Sequence, residues 1–147
     1  MIIFPAIDIK GGKCVRLFQG RADRETVYGQ DPAAMGERWQ ELGAAWLHVV
    51  DLDGAFGARP ANLDAIRRLR RAVTIPIQLG GGLRSLDHLA LYVDLGIDRL
   101  ILGTVILKDP DLAVRALETY PGRLALGLDA REGLLAVEGW TETSRTP

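Results

Sequence analysis

Two aspartates close two apolar runs in matching surroundings. Asp8 ends "IIFPAID" and is followed by Lys10 and Gly12, and Asp129 ends "LALGLD" and is followed by Arg131 and Gly133 at the same offsets. One aspartate after an apolar run is well explained as a turn or N-cap residue that satisfies nearby amides. Two of them, on repeated strands at one mouth, have a chemical use. If their environments differ, one carboxyl stays protonated as an acid while the other is ionised as a base, and the pair moves protons within a substrate.

A second cluster follows the third apolar run, where "QLGGGLRS" places Gly80, Gly81 and Gly82 before Arg84 and Ser85. A tight turn needs one glycine or two; three in a row let the backbone approach a ligand and aim amides at it. Ser85 then opens a helix whose N-terminus favours anions. Gly103 and Thr104 occupy the corresponding place after the next run, so the expectation is a phosphate cradle shared by two strand ends. Asp51 and Asp53 close the run "LHVVDLD", with His48 inside it. A lone histidine in a strand is more often a packed core residue than a catalyst, and Asp53 and Asn62 are explained as residues that shape the loop between them. Trp140, after Gly139, either stacks on a flat ring or covers apolar surface. The arginines at 67, 68, 70 and 71 read as the solvated face of a helix.

These residues must be carried by an alternating framework. Strands are expected at Ile2–Ile7, Trp46–Val50, Ile75–Leu79, Arg99–Leu102 and Leu124–Leu128. Between them, Asp31-Pro32 starts a helix that halts at Gly43, Asn62 caps a helix through Val73, Ser85 caps another to Gly96, and Asp109-Pro110 starts one that ends at Pro121-Gly122. Runs such as "WLHVV" and "RLILG" read as apolar on both faces, which suits parallel strands covered by helices. The order β-α-β-α-β-α-β-α-β fits either a doubly wound sheet or a (β/α)8 barrel. "DIKGGKCVRL" lacks the G-x-G-x-x-G spacing of the first. The repeat favours the second: residues 1–122 form a first half-barrel of four βα units and 123–147 begin the second, and doubling the unit approaches the roughly 250 residues of a whole barrel. The 147 residues are then a single incomplete barrel domain, with the site at the C-terminal ends of its strands.

Composition narrows the classes. Eighteen basic against 19 acidic residues, a net charge of −1, argue against a dense cationic face for nucleic acid. Forty-eight per cent apolar residues supply a core, and no apolar run is long enough to span a bilayer. Cys14 is the only cysteine, so there is no internal disulfide and no all-cysteine zinc site, and two histidines without ligand spacing make a metal site improbable. The expectation is a soluble cytoplasmic protein.

Taken in order, "FPAIDIKGGKCVRLFQG", "LHVVDLDGA", "PIQLGGGLRS", "LGTV" and "GLDAREG…VEGW" resemble the histidine-biosynthesis isomerase that acts on phosphoribosylformimino-aminoimidazole carboxamide ribotide. The resemblance runs from Met1 to about Ser144. It implies a (β/α)8 barrel with two-fold internal repetition, no metal or organic cofactor, and an Amadori rearrangement of an aldose amine to a ketose amine on a substrate with two phosphates. It implies Asp129 as general acid for ring opening and Asp8 as general base at C2′. Gly81, Gly82, Gly103 and Thr104 match the family's first phosphate region, and Arg16, Gly20, His48, Asp51, Arg84 and Trp140 match positions near the substrate.

The related cyclase of the same pathway also carries strand-one and strand-five aspartates, but the first two motifs favour the isomerase. A dual-specificity isomerase that also takes phosphoribosyl anthranilate would share the same proton movements. The family's chain continues through three further strands and a second cradle. The 147-residue chain alone is therefore expected to be a poor catalyst unless it self-associates or meets a complementary half-barrel, and an inactive half-barrel is the non-enzymatic alternative.

Overall fold

A computed structural model describes the backbone at residues 1–18, 21–57, 59–131, 134–137 and 142–143, and the side chains at 1–17, 26–57 and 59–128. Two of the residues singled out above, Gly20 and Trp140, lie outside the described residues, as does the side chain of Asp129.

The chain opens with β1 (Ala6–Lys10), β2 (Lys13–Phe18) and β3 (Arg21–Gly29), and then alternates: α1 (Pro32–Glu41), β4 (Leu47–Asp51), α2 (Leu52–Gly57), α3 (Leu63–Ala72), β5 (Ile77–Gly80), α4 (Leu86–Asp94), β6 (Arg99–Leu102), α5 (Val105–Lys108), α6 (Pro110–Thr119) and β7 (Leu124–Leu126). One sheet takes seven of the strands in the order β3-β2-β1-β4-β5-β6-β7. The steps from β1 to β4, β5, β6 and β7 are all parallel, each requiring a helical crossover. Three short strands, β8 (Asp129–Arg131), β9 (Leu134–Val137) and β10 (Glu142–Thr143), form a separate antiparallel sheet.

Period-two alternation sorts the two faces of the main sheet. Ile7 and Ile9, Leu47 and Val49, Ile77 and Leu79, Leu100 and Leu102 are all buried on one face. They pack under α3, α4 and α6 through Ile66, Leu69, Leu89, Leu112 and Ala116. The other face carries Asp8, His48, Val50, Gln78, Arg99 and Ile101, all only half-buried. "LHVVD" is thus not apolar on both faces as its composition suggests. Its inward His48 belongs to the concave side that a barrel turns towards its own axis.

The four crossover helices fall where the caps place them. Asp31 Oδ1 accepts from Ala33 N–H at 3.1 Å, Ser85 Oγ from His88 N–H at 3.2 Å, and Asp109 Oδ1 from Leu112 N–H at 2.9 Å. Asn62 does precede α3, but its side chain makes no cap bond, because its Oδ1 already accepts from the Gly12 amide.

Two expectations are corrected. The first strand does not span Ile2–Ile7: it starts at Ala6, with Met1, Ile2 and Ile3 exposed, and runs through Asp8 to Lys10. Pairing with β4, Ala6 to His48 through Ile9 to Asp51, and with β2, Asp8 to Val15, holds those later residues extended. Asp8 is consequently a mid-strand residue on the concave face rather than a residue of the following loop. The second correction is the β2–β3 hairpin, absent from the expected βα alternation. β2 is entered from β1 through Gly11 and Gly12, whose φ of 55° and 75° make the doubly positive turn that joins antiparallel β1 and β2 with the sheet's own twist.

Candidate active site

At the C-terminal end of β4 the chain buries a carboxylate. Asp51 is 0% exposed, and its two oxygens accept five hydrogen bonds. Oδ1 takes Gly54 N–H at 2.9 Å and Asn62 Nδ2 at 2.7 Å. Oδ2 takes Ala61 N–H at 2.8 Å, Asn62 N–H at 3.2 Å and the Tyr92 hydroxyl at 3.2 Å. With that many donors the carboxylate is satisfied inside the protein, so Asp51 does not reach outwards as a substrate contact would. Tyr92 comes from the far side of α4, and burial together with the neighbouring Asp51 pushes its hydroxyl well above the usual range.

Asn62 extends this knot to the first strand. Its Nδ2 also donates to Asp53 Oδ2 at 2.9 Å, while its Oδ1 accepts from Gly12 N–H at 2.9 Å and Asp53 Oδ2 accepts from Gly11 N–H at 2.6 Å. The β1–β2 turn is thereby fastened to the end of β4. Asp53 and Asn62 do shape a loop, but the loop they hold includes the turn that starts three residues beyond Asp8.

The glycine run packs onto the same knot. Gly81 and Gly82 have φ of 106° and 75°, and a Cβ on either would stand 2.2 Å from the Asp51 carbonyl oxygen or 2.5 Å from that of Gly54. Side chains are excluded there on two counts, conformation and space. Beyond them the ends of β4, β5 and β6 enclose a cavity of about 170 Å³ lined by Val50, Gly81, Gly82, Arg84, Ile101, Gly103 and Thr104. Five residues expected at a phosphate cradle thus share one cavity, with the N-terminus of α4 directly after them. His88 supports the cradle from below: its Nδ1 accepts from Arg84 N–H at 3.3 Å and lies 3.1 Å from the Gly82 carbonyl. Its position three residues into a Ser-capped helix was the available signal for that role.

Asp8 faces the same side of the sheet two strands away. It pairs with Val50, which pairs with Gly80, a separation of about 10 Å at normal strand spacing. Asp8 and Arg16 line a cavity of about 540 Å³ between β1, β2 and α1. Burial raises the Asp8 carboxyl above the usual aspartate range, opposed by the nearby His48 and Arg16. His48 is held low by burial, with Asp8 pulling it back up and Arg99 pushing it further down. Its Nδ1 is 2.8 Å from Gln78 Nε2, and neither Gln78 nor Arg99 was singled out from sequence. Their signal was faint: one polar residue in each of two apolar runs. Asp129 lies in β8, three residues past the end of β7, so strand five ends before it. Among the described residues no group of three His, Cys, Asp or Glu side chains is placed to hold a metal ion, and no helix is long and apolar enough to cross a membrane.

Parallel strands under a helical layer, with the glycine cradle and the half-buried aspartate on the concave side of their C-terminal ends, define a (β/α) barrel protein of TIM type, here an open partial barrel. The chain belongs to the family described as histidine biosynthesis protein, which it matches over residues 2–147. It is 56% identical over 146 residues to the 1-(5-phosphoribosyl)-5-((5-phosphoribosylamino)methylideneamino) imidazole-4-carboxamide isomerase of Syntrophobacter fumaroxidans, covering 99% of this chain and 57% of that protein. The isomerases of the same name from Nitratidesulfovibrio vulgaris and Magnetococcus marinus are 55% and 54% identical over 144 residues, covering 98% of this chain and 59% and 58% of theirs. The chain therefore spans somewhat under three-fifths of the length of these relatives.

Two measurements check the site's construction. Asp51→Ala takes the acceptor from the Gly54, Ala61 and Asn62 amides and the Tyr92 hydroxyl and is expected to lower stability by about 3 kcal/mol or more, read from urea unfolding; a loss below about 1 kcal/mol contradicts the keystone role. Asp8→Asn should do the reverse at neutral pH. Because burial raises the folded-state pKa above 3.8, the native protein gains nothing from ionised Asp8, and its stability falls as pH rises through that folded value. Removing the charge should add up to about 1 kcal/mol at pH 7, discounted for partial exposure. The gain should vanish in acid below pH 3.8; an equal gain at both pH values refutes the assignment.

Proposed function

We propose that the protein takes part in histidine biosynthesis as an aldose–ketose isomerase, converting N′-((5′-phosphoribosyl)formimino)-5-aminoimidazole-4-carboxamide ribonucleotide to its ribulosyl form. The observation that carries this reading is the pairing on one concave face of a phosphate-sized glycine cavity with a half-buried aspartate about two strands away. A phosphate held by the amides of Gly81, Gly82, Gly103 and Thr104, with Arg84 at its rim, leaves the attached pentose to extend along the strand ends towards Asp8. The family membership and the names of the relatives point the same way.

In this reading Asp129 protonates the ring oxygen and the ribose opens to a protonated imine. Asp8 then removes the proton from C2′, and the resulting enol rearranges to the ketone. A base whose pKa is lifted from the ordinary aspartate value is better matched to proton removal near neutrality, and burial of Asp8 works in that direction. Asp8→Asn and Asp129→Asn, each made in the chain extended to the relatives' length, should lower turnover about 100-fold or more while substrate affinity stays close to wild type. Near-normal turnover in either variant removes that aspartate from the mechanism, and turnover of phosphoribosyl anthranilate alone overturns the substrate.

The same reading assigns a partner. The segment entering β1 and the end of α1 present Met1, Ile2, Ile3 and Leu42 around a groove of about 410 Å³, and α6 with the edge strand β7 and its continuation presents Val114, Leu117, Leu126 and Leu128, all exposed. Apolar flanks of this kind on an open sheet favour association with a second copy of the chain or a complementary half-barrel, in the cytoplasm. Sedimentation of the 16.0 kDa chain should give at least twice that mass, and a monomer at micromolar concentration argues against self-association.

A further inference from the structure

Below Asp8 on the concave face, one register row crosses four strands as Ala6, His48, Gln78 and Arg99. Three of its side chains are joined. Arg99 donates from Nε at 3.0 Å, and from Nη2, to the single oxygen Oε1 of Gln78, and Gln78 Nε2 meets His48 Nδ1 at 2.8 Å. Arg99 is itself seated, its guanidinium carbon 4.8 Å from the ring centre of Trp46 and 5.6 Å from that of Phe4.

We propose that Arg99 and Gln78 lock His48 as a neutral imidazole carrying its proton on Nε2, so that His48 stands near Asp8 uncharged and is neither a base nor a cation. The argument is one of donors and acceptors. A guanidinium has five donors and no acceptor, so the end of Gln78 that faces Arg99 is its carbonyl oxygen. Only the NH2 of Gln78 then remains for His48, and an NH2 only donates. Nδ1 must receive that bond with its lone pair, which leaves the ring proton on Nε2. Protonating Nδ1 would set N–H against N–H at 2.8 Å, and turning the amide to relieve this would set its NH2 against the guanidinium.

The consequence falls on Asp8. The charged groups that reach His48 are Asp8 from β1 and Arg99 from β6, and Arg16 from β2 reaches Asp8 in turn. Because Arg99 forces His48 to stay neutral, no imidazolium sits beside Asp8 to compete for its charge or to share its proton. That leaves Asp8 as the base on this face; the inference thus refines the isomerase reading and rests on it for its meaning, though not for its test.

Two-bond 1H–15N correlation spectra of the labelled 147-residue chain read the tautomer directly. There are two histidines, and the His48 signals are assigned by their loss in His48→Gln. The expected wild-type pattern at pH 7 is Nε2–H alone, with a titration midpoint below the ordinary value of about 6.5. Gln78→Glu gives Nδ1 an acceptor in place of a donor and should move the ring to the Nδ1–H or imidazolium pattern, raising the midpoint by about one unit. Gln78→Leu, which supplies neither, should give a mixture of tautomers. An Nδ1–H or imidazolium pattern in the wild type overturns the lock, as does an unchanged ring in both variants. The spectra need no turnover, so a lock found in a chain that does not isomerise, or isomerisation without the lock, separates this inference from the functional reading.

Discussion

A buried, fully hydrogen-bonded carboxylate is the constraint on which this site rests. Taking the charge of Asp51 out of water is costly, and the cost is offset only because five donors converge on two oxygens. Those donors come from the loop after β4, the start of α3 and the far side of α4. Each segment is pinned because the carboxylate cannot be left short of partners. Asn62 then passes the constraint to the Gly11-Gly12 turn, and the positive-φ glycines at 81 and 82 close over the backbone of Asp51 and Gly54. One side chain thus sets the relative positions of the end of β1, the segment after β4 and the glycine run after β5.

The sheet supplies the second constraint, through the difference between its faces. Helices cover the face that carries Ile7, Leu47, Leu79 and Leu100, and hydrophobic burial there accounts for most of the core. The concave face mixes polar residues with the partly buried Val50 and Ile101. Its rows separate functions by height: His48, Gln78 and Arg99 occupy one level, and Asp8, Val50, Gly80 and Ile101 the next towards the strand ends. The proposed base, Asp8, therefore sits one pleat above a row of fixed hydrogen bonds. The half-burial that raises Asp8 is a stability cost borne at the residue proposed as the base.

Much of this was legible before any coordinates, for local reasons. Asp31-Pro32, Ser85 and Asp109-Pro110 announce helix starts because a side-chain oxygen within two or three residues of a free amide can cap it wherever the chain goes. The glycine run announced a close backbone approach, and the cradle residues do share one cavity. Asn62 shows the limit of such reading. By type and place it is a cap, yet it leaves the cap position because Asp51, Asp53 and the Gly12 amide, up to 50 residues away in sequence, offer a better set of partners. The antiparallel strands after β1 were not legible for a different reason: "DIKGGKCVRL" lacks the dinucleotide spacing, and only the folded backbone shows Gly11-Gly12 as a doubly left-handed step that turns β1 back into β2.

The sequence by itself determined the βα order, the helix boundaries, the family and the residue types that gather at strand ends, because periodicity and capping act over a few residues. Tertiary structure decided which of those residues do what. Only the parallel register turns Asp8 to the concave face and lines it up with Val50 and Gly80, only the folded knot shows that Asp51 is consumed internally, and only the row across β4, β5 and β6 sets His48 against Gln78 and Arg99. Hydrogen-bond donors and acceptors have a fixed sense, and which of them meet is a property of strand registration that no local pattern in the chain encodes.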